Sequence, residues 1–489
     1  MLFNSHIFML LFLPLLLAGW YFLNWKKKFQ LAQGYLIGMS LWFYAYANLQ
    51  YLWLLLFSCL IGWLLSCLPE KIFSEKGKKV LTGVGCVFHL GLLGYFKYSN
   101  FFLENLNTVF HTDFPMLQIL LPVGISFYTF QQLAYLIDRC RGDAPRDSFF
   151  DYLTFMVYFP QLLQGPILLR SEFMGQLKEP ERRRFHAERF SEGIQFFVFG
   201  LAKKVLLADT LAKAVNYGYS NVSMLDSISA LLLAVGYLTE LYFDFSGYCD
   251  MAVGLGKMIG LEVAENFDAP FHSASVKEFW RRWHMTLGRF FTRYVYIPLG
   301  GNRRGKMRTL CNVMIVMLLS GLWHGAAWTF VLWGFLHGVG MIWDNLEHPH
   351  LPKKWMRQAA TFAYVCMTFV FFRAESIAQG VDVLKSIVSL KWNGFVFQMA
   401  SALDMTECYI ITKALSMKLP GLLSWFWLGI FVVLIAICFL VLSGEKVSGV
   451  VALKRQKGYG RLYPVLLAVL FTWSMISMTG VSEYLYFSF

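Results

Sequence analysis

The chain reads as an all-α, polytopic membrane protein, and three observations predict it. Apolar runs of about 18 or more residues recur from end to end, each long enough to cross the hydrocarbon core as a helix. Charged residues make up only 15% of the 489 residues, against about 25% in soluble domains. Hydrophobic residues reach 57% and the mean hydropathy is +0.51. No stretch reads as a soluble domain, so residues 1–489 form one membrane-embedded unit. The formal charge of +13 is not read as a nucleic-acid footprint, because Lys and Arg gather in short loops between apolar runs, as on the cytoplasmic side of polytopic proteins. The nine cysteines fall mostly inside apolar runs (Cys59, Cys67, Cys86, Cys366, Cys438) with no C-x-x-C pair. They read as small buried hydrophobes, not as a disulfide framework or metal site.

In chain order, Ile7 to Leu23 is the first span. No basic stretch precedes it and no small-residue cleavage site follows, so it reads as retained. Lys26, Lys27 and Lys28 put its end inside. Leu31 to Leu68 holds two spans with an outer turn near Asn48, returning to Lys71 and the cations at 76–79. Val80 to Tyr98 crosses outward. Ser99 to Phe114, with Asn and Asp but no Lys or Arg, is expected as an outer loop, and Met116 to Leu136 returns to Arg139, Arg141 and Arg146. Phe149 to Leu169 is broken by Pro160 and Gly165-Pro166 and has basic residues on both flanks. Two readings stay open: a re-entrant segment whose Gln161, Gln164 and Gly165-Pro166 line a cavity, or a span kinked at proline.

Phe190 to Ala208 and Ile228 to Phe245 are further spans. Around the end of the second lie Glu240, Asp244 and Asp250. A carboxylate here is either a site group that pairs with Arg or His, or an interfacial cap facing cytoplasmic water; the cap suits Glu240 and Asp250 better. Gly254, Gly256 and Gly260 offer a small-residue face for helix packing. From Leu261 to Lys306 the chain is amphipathic and non-spanning: Phe279, Trp280, Trp283 and Leu287 share one helical face, with Arg281, Arg282, Arg289 and Arg293 nearby, the pattern of a helix lying in the interface. The chain re-enters after Arg308, and helical rise carries His324 past the midplane. Phe330 to Trp343 leads back to Lys353, Lys354 and Arg357 inside. Gln358 to Phe372 crosses outward, and Glu375 to Pro420 holds two short outer-surface helical patterns, one at Val381 to Leu390. Leu422 to Leu442 returns to Lys446, Lys454, Arg455 and Lys457, and Tyr463 to Met478 crosses out. The basic loops agree with about eleven alternating spans if the Pro160 segment is re-entrant.

A histidine inside an apolar segment of membrane length needs a reason, because ionisable groups in a bilayer usually mark a substrate path or reaction site. His324 in Ser320-Gly321-Leu322-Trp323-His324-Gly325 is that residue. Neutral imidazole can take the proton of a hydroxyl as that hydroxyl attacks an acyl carbonyl. Trp323 and Trp328 would supply rigid apolar walls. No Gly-x-Ser-x-Gly is present, so direct transfer suits the chemistry better than an acyl-enzyme on serine. His324 and His337 are thirteen residues apart, not at the spacing of a helical zinc pair. A lone histidine in an apolar helix is also commonly a hydrogen-bonded structural residue, the reading that suits His337. His348 and His350 read as loop residues, and His284 is interfacial or catalytic.

At these residues the sequence resembles the membrane-bound O-acyltransferase family. The resemblance rests on Phe279-Trp280-x-x-Trp283-His284, Pro298-Leu299-Gly300-Gly301-Asn302-Arg303 and Trp323-His324-Gly325, with residues 122–127, Phe159-Pro160, Gln164-Gly165-Pro166 and 242–248. These core motifs cover most of residues 120–345, and residues 374–489 form a C-terminal extension. The opening residues 1–5 and that extension resemble the bacterial alginate and peptidoglycan O-acetyltransferase branch. A related branch transfers D-alanine to teichoic acid from a carrier protein. The resemblance implies a ring of helices plus re-entrant and interfacial helices around a central tunnel in a bacterial plasma membrane. It makes His324 the catalytic histidine and His284 the second functional one. Trp280, Arg281, Arg282, Trp283, Asn302, Arg303, Trp323 and Asp244 complete the expected donor- and substrate-binding set, with no metal. Arg281, Arg282, Arg303 and Arg304 would hold a phosphate-bearing thioester donor, acetyl-CoA or an acyl carrier protein's phosphopantetheine arm, on the cytoplasmic side. No resident cofactor is expected. A separate extracytoplasmic acetyltransferase partner and a polysaccharide acceptor are implied. A transporter without chemistry is the alternative from another class.

Overall fold

A computed structural model describes residues 1–67, 74–346, 353–458, 460–478 and 485. Lys71, His348 and His350 lie outside the described residues. Among those described, the secondary structure is entirely helical, and six helices are long and apolar enough to cross a membrane.

The N-terminal half runs through α1 (Leu13–Trp25), α2 (Phe29–Asn48) and α3 (Leu52–Cys67). The next helix starts on the Ser74 hydroxyl, which accepts from the Gly77 N–H. It runs as α4 (Glu75–Leu93), a π turn (Gly94–Tyr98) and α5 (Ser99–Phe110) without a break. The stretch expected as an outer loop, residues 99–114, is therefore helical to Phe110. The return span also starts later than expected, as α6 (Ile125–Arg141). Residues 112–122 carry no helix, and Gly124 starts α6 at φ +78°, in the left-handed region that favours glycine.

The Pro160 segment consists of α7 (Phe149–Val157) and the short α8 (Phe159–Leu162). Non-helical backbone then leads to α9 (Arg170–Lys178). Its two ends meet: the Arg170 guanidinium donates from Nε to Asp147 Oδ2 at 2.7 Å and pairs with the other carboxylate oxygen. This closure supports the re-entrant reading over the kinked span. The irregular backbone is buried in protein, as membrane depth requires.

α10 (Ala187–Ala202) and a π turn at Lys203–Ala208 lead to α11 (Asp209–Ser220) and then to α12 (Ser227–Ile259). Asp226 caps α12, accepting from the Ser229 N–H at 2.8 Å. With 33 residues it is about 50 Å long, well over the roughly 30 Å hydrocarbon core, and most of it is buried. It stands between two apolar cores: α1, α2 and α7 on one side, and α11 with the later helices on the other. α10 packs on it through paired glycines. A Cβ on Gly193 or Gly254 would meet the other's carbonyl, and Gly200 and Gly247 repeat the arrangement. Of the glycine face read from sequence, Gly254 makes this contact, whereas Gly260 ends the helix at φ +87°.

The expected single interfacial helix is two, α13 (Val276–Arg282) and α14 (Met285–Phe291), broken at His284. α15 (Lys306–His324) and α16 (Trp328–Asn345) form a hairpin that reverses just after His324. Gly321 and Gly334 let the two backbones touch, since a Cβ on either would collide with a carbonyl of the other helix. α17 (Lys354–Arg373) and the short α18 (Ile377–Val388), α19 (Phe395–Ser401) and α20 (Tyr409–Lys418) follow. α21 (Pro420–Ser443), α22 (Val447–Lys457) and α23 (Leu462–Ser477) end the described helices.

Candidate active site

His324 is the last residue of α15 and is buried. Three aromatic rings surround it: Trp323, Trp333 and Phe372, with centroids 4.8, 5.1 and 5.1 Å away. It borders a cavity of about 40 Å³ lined by residues 121–127, Leu163, Trp323 and Lys97. That is room for about three water-sized groups. The re-entrant turn supplies Leu163, and the wall at residues 122–127 is the start of α6.

His284 also neighbours Trp323, their rings 6.1 Å apart. Its backbone is left-handed (φ +46°), a conformation that costs a non-glycine residue about 1–3 kcal/mol and collects at functional sites. Asn266 Oδ1 holds the break in place. It accepts from the Thr286 N–H at 3.1 Å, from Thr286 Oγ1 at 3.0 Å, and lies 3.1 Å from His284 Nδ1. The Thr286 N–H donates, so that Asn266 atom is the carbonyl oxygen, and His284 Nδ1 must carry a proton. Neutral His284 then has its lone pair on Nε2, a buried atom with no hydrogen-bond partner. Thr286 Oγ1 also accepts from the Ile167 N–H at 3.0 Å, tying the re-entrant segment to this network. Gln164 in that segment is fully buried, and its amide has no hydrogen-bond partner.

His337 is different. Its Nδ1 accepts from Trp280 Nε1 at 3.2 Å, and its Nε2 lies 2.9 Å from Thr368 Oγ1. That hydroxyl donates to the Val365 carbonyl, so the Nε2–H donates to it. Both ring nitrogens are used, as the structural reading of His337 expects.

The expected donor set divides. Trp323 touches both site histidines, its ring 6.1 Å from His284 and 4.8 Å from His324. Trp280 and Trp283 are not on a basic surface. Trp280 serves His337, and Trp283 is buried among Phe267, Phe279 and Phe369. Arg282 pairs with Glu278 at 2.9 Å. Arg281, Asn302, Arg303 and Arg304 are exposed, and the last three precede Lys306, about 27 Å along α15 from His324. Asp244, expected to pair with Arg or His, pairs with a lysine: Lys204 Nζ lies 2.6 Å from it. Glu240 and Asp250 do not cap a helix end in water. Both lie inside α12; Glu240 is buried, and Asp250 pairs with Lys203 at 2.6 Å. The reason is that α12 continues past Phe245, and the π turn beside it brings lysines to its carboxylates.

One residue was missed. Lys97, in the π turn between α4 and α5, sends Nζ to the carbonyls of Trp323 (2.6 Å) and His324 (2.9 Å). Next to it, the Tyr98 hydroxyl donates to the Leu322 carbonyl at 2.6 Å. The sequence signal was a lone lysine inside an apolar run.

Fold and site together describe an integral membrane acyltransferase. The profile of MBOAT, the membrane-bound O-acyltransferase family, matches residues 141–375, which contain both site histidines, and the chain belongs to that family. It is 35% identical over 423 residues to a peptidoglycan O-acetyltransferase of Helicobacter pylori, covering 80% of each chain. It is 39% identical over 389 residues to a probable alginate O-acetylase of Azotobacter vinelandii, covering 77% of this chain and 76% of that one. A teichoic acid D-alanyltransferase of Bacillus subtilis is 28% identical over 271 residues, 52% of this chain and 69% of that one. The protein is thus a multi-pass membrane enzyme, and the reading as a transporter without chemistry falls.

Proposed function

We propose that the protein takes an acetyl group from a cytoplasmic thioester and passes it through the membrane for O-acetylation of an extracytoplasmic polysaccharide, with His324 as general base. The observation that carries this is an imidazole buried at the end of a membrane helix and bordering a cavity, in a chain whose relatives over about four-fifths of its length are named for O-acetyl transfer. The acceptor hydroxyl gives its proton to His324 as its oxygen attacks the thioester carbonyl carbon. The carbonyl π pair moves to oxygen. Collapse of the tetrahedral intermediate breaks the C–S bond, and the thiolate leaves with the proton from the imidazolium. This is general base and then general acid catalysis by one group. His284, held by Asn266 with a lone pair on Nε2, accepts a hydrogen bond that orients a reactant.

The donor is acetyl-CoA or an acyl carrier protein, approaching the exposed Arg281, Arg303 and Arg304. The immediate acceptor is a hydroxyl of an extracytoplasmic acetyltransferase partner or of the polymer. The whole chain acts as one catalytic unit, its extension at 374–489 included. Polysaccharide O-acetyl content in cells carrying wild type or His324→Ala, at matched membrane levels, tests the proposal. Loss of acetyl ester is expected. Unchanged acetyl ester overturns it, and labelled D-alanyl donor then tests the second transfer.

A further inference from the structure

α15 ends at His324, and the last carbonyls of a helix have no partner within it. They also form the negative end of the helix dipole. Here the π turn at Gly94–Tyr98 answers that end. Tyr98 takes the Leu322 carbonyl, and Lys97 takes those of Trp323 and His324. π turns inside helices are frequent at functional sites, and this one rotates Lys97 inward from a membrane-spanning helix, where a cation is expensive. An ammonium has three N–H donors. Two are spent on those carbonyls. The third donates to Ser126 Oγ at 3.5 Å, the longest of the three bonds, in the cavity that Lys97 shares with His324.

We propose that Lys97 is a catalytic residue for acyl transfer: it fixes the His324 end of α15 and turns positive charge toward the carbonyl oxygen of the acyl group in the shared cavity. This rests on the reading of His324 as general base. As the acceptor oxygen bonds to the carbonyl carbon, the π pair of the C=O becomes an oxyanion, and the Lys97 ammonium stabilises that charge without giving up its proton. When the C–S bond breaks, the pair returns to the C=O and the interaction weakens. The stabilisation is greater in the transition state than in the ground state, so it acts on kcat rather than on donor binding.

The test uses the full-length chain reconstituted in lipid, with acetyl-CoA as the donor probe, a soluble polysaccharide fragment added as the hydroxyl acceptor, and release of free thiol as the signal. Wild type, Lys97→Met, Lys97→Arg and His324→Ala are compared. Lys97→Met is expected to lower kcat about 10²–10³-fold, as loss of an oxyanion donor does, with donor KM unchanged. Lys97→Arg, which keeps the charge and the donors, restores a large part of it. A Lys97→Met enzyme with wild-type kcat, or one whose whole loss lies in KM, overturns the proposal, as does an arginine variant no better than methionine. If wild type releases thiol from none of acetyl-CoA, an acetylated acyl carrier protein and D-alanyl-pantetheine, it is the acyl-transfer reading that fails. Thermal unfolding then decides the structural half: Lys97→Met melting with wild type, and not below it and Lys97→Arg, overturns the anchoring of α15.

Discussion

Two groups of ionisable side chains are buried among the helices of this protein, and they are completed differently. On α12, Asp250 and Asp244 each meet a lysine from the adjacent π turn at 2.6 Å, and Lys204 reaches Asp209 as well. At these carboxylates a lysine charge stands beside each buried negative one. Around α15 the ionisable side chains are three imidazoles and Lys97; the imidazoles meet aromatic rings, one asparagine and one threonine, and Lys97 meets backbone carbonyls. There His284 keeps an unpartnered Nε2, and His324 borders a cavity. The lesson is that burial alone does not separate structure from chemistry in a membrane. What separates them is whether a group is paired within the fold, as at Asp244 and Asp250, or borders a space that a reactant can enter, as at His324.

The contrast breaks most easily at His324. His324→Ala should lower acyl transfer by about 10³-fold or more, the upper range for loss of a general base, while its thermal unfolding stays near wild type. A large drop in melting temperature would instead put His324 with the structural group. Lys204→Met should do the reverse. It strands buried carboxylates and should cost about 3–5 kcal/mol of stability, as removal of one partner of a buried pair does. Turnover per folded molecule should stay near wild type, and the double variant Lys204→Met/Asp244→Leu should melt above the single one. If folded Lys204→Met protein is as inactive as His324→Ala, the two regions are one system. Asn266→Ala sharpens the middle ground. It leaves the His284 Nδ1–H and two Thr286 donors without their acceptor, at about 1–3 kcal/mol for a buried group so stranded, and kcat should fall with stability. The smallest effect is expected at the surface. Arg303→Ala should raise KM for an anionic thioester with kcat unchanged, the pattern of lost uniform binding.

His324 was legible because one imidazole stands out against an apolar run, and no loop is needed to explain it. Lys97 was not, although the same rule applies to it. Read from sequence, the span from Val80 ends at Tyr98, and only the continuation of the helix through Phe110 with a π turn places Lys97 inside. The break at Pro160 was written in the sequence, whereas the Arg170–Asp147 pair that closes the segment depends on residues brought together by the fold. The turn at His284 left no mark, since apolar spacing runs through residues 279–287 with no Gly or Pro before it. Its cause is Asn266, which lies outside that helical pattern. The carboxylates of α12 looked like a helix end for a similar reason: their lysines lie some forty residues earlier.

The segment clasped by Arg170 and Asp147 bears on how the chain is made. Its backbone between α8 and α9 has no helix to satisfy its amides, so lipid cannot receive it as an independent span. The insertion machinery can release α1, α2 and α3 sideways as they emerge, but this segment has to wait for surrounding helices. The Thr286 hydroxyl that takes the Ile167 N–H is synthesised more than a hundred residues later. Completion of the site is therefore a late event in biogenesis. A ribosome-bound chain truncated before Thr286 would leave this loop open to protease, and the loop would become resistant only after α14 has been added.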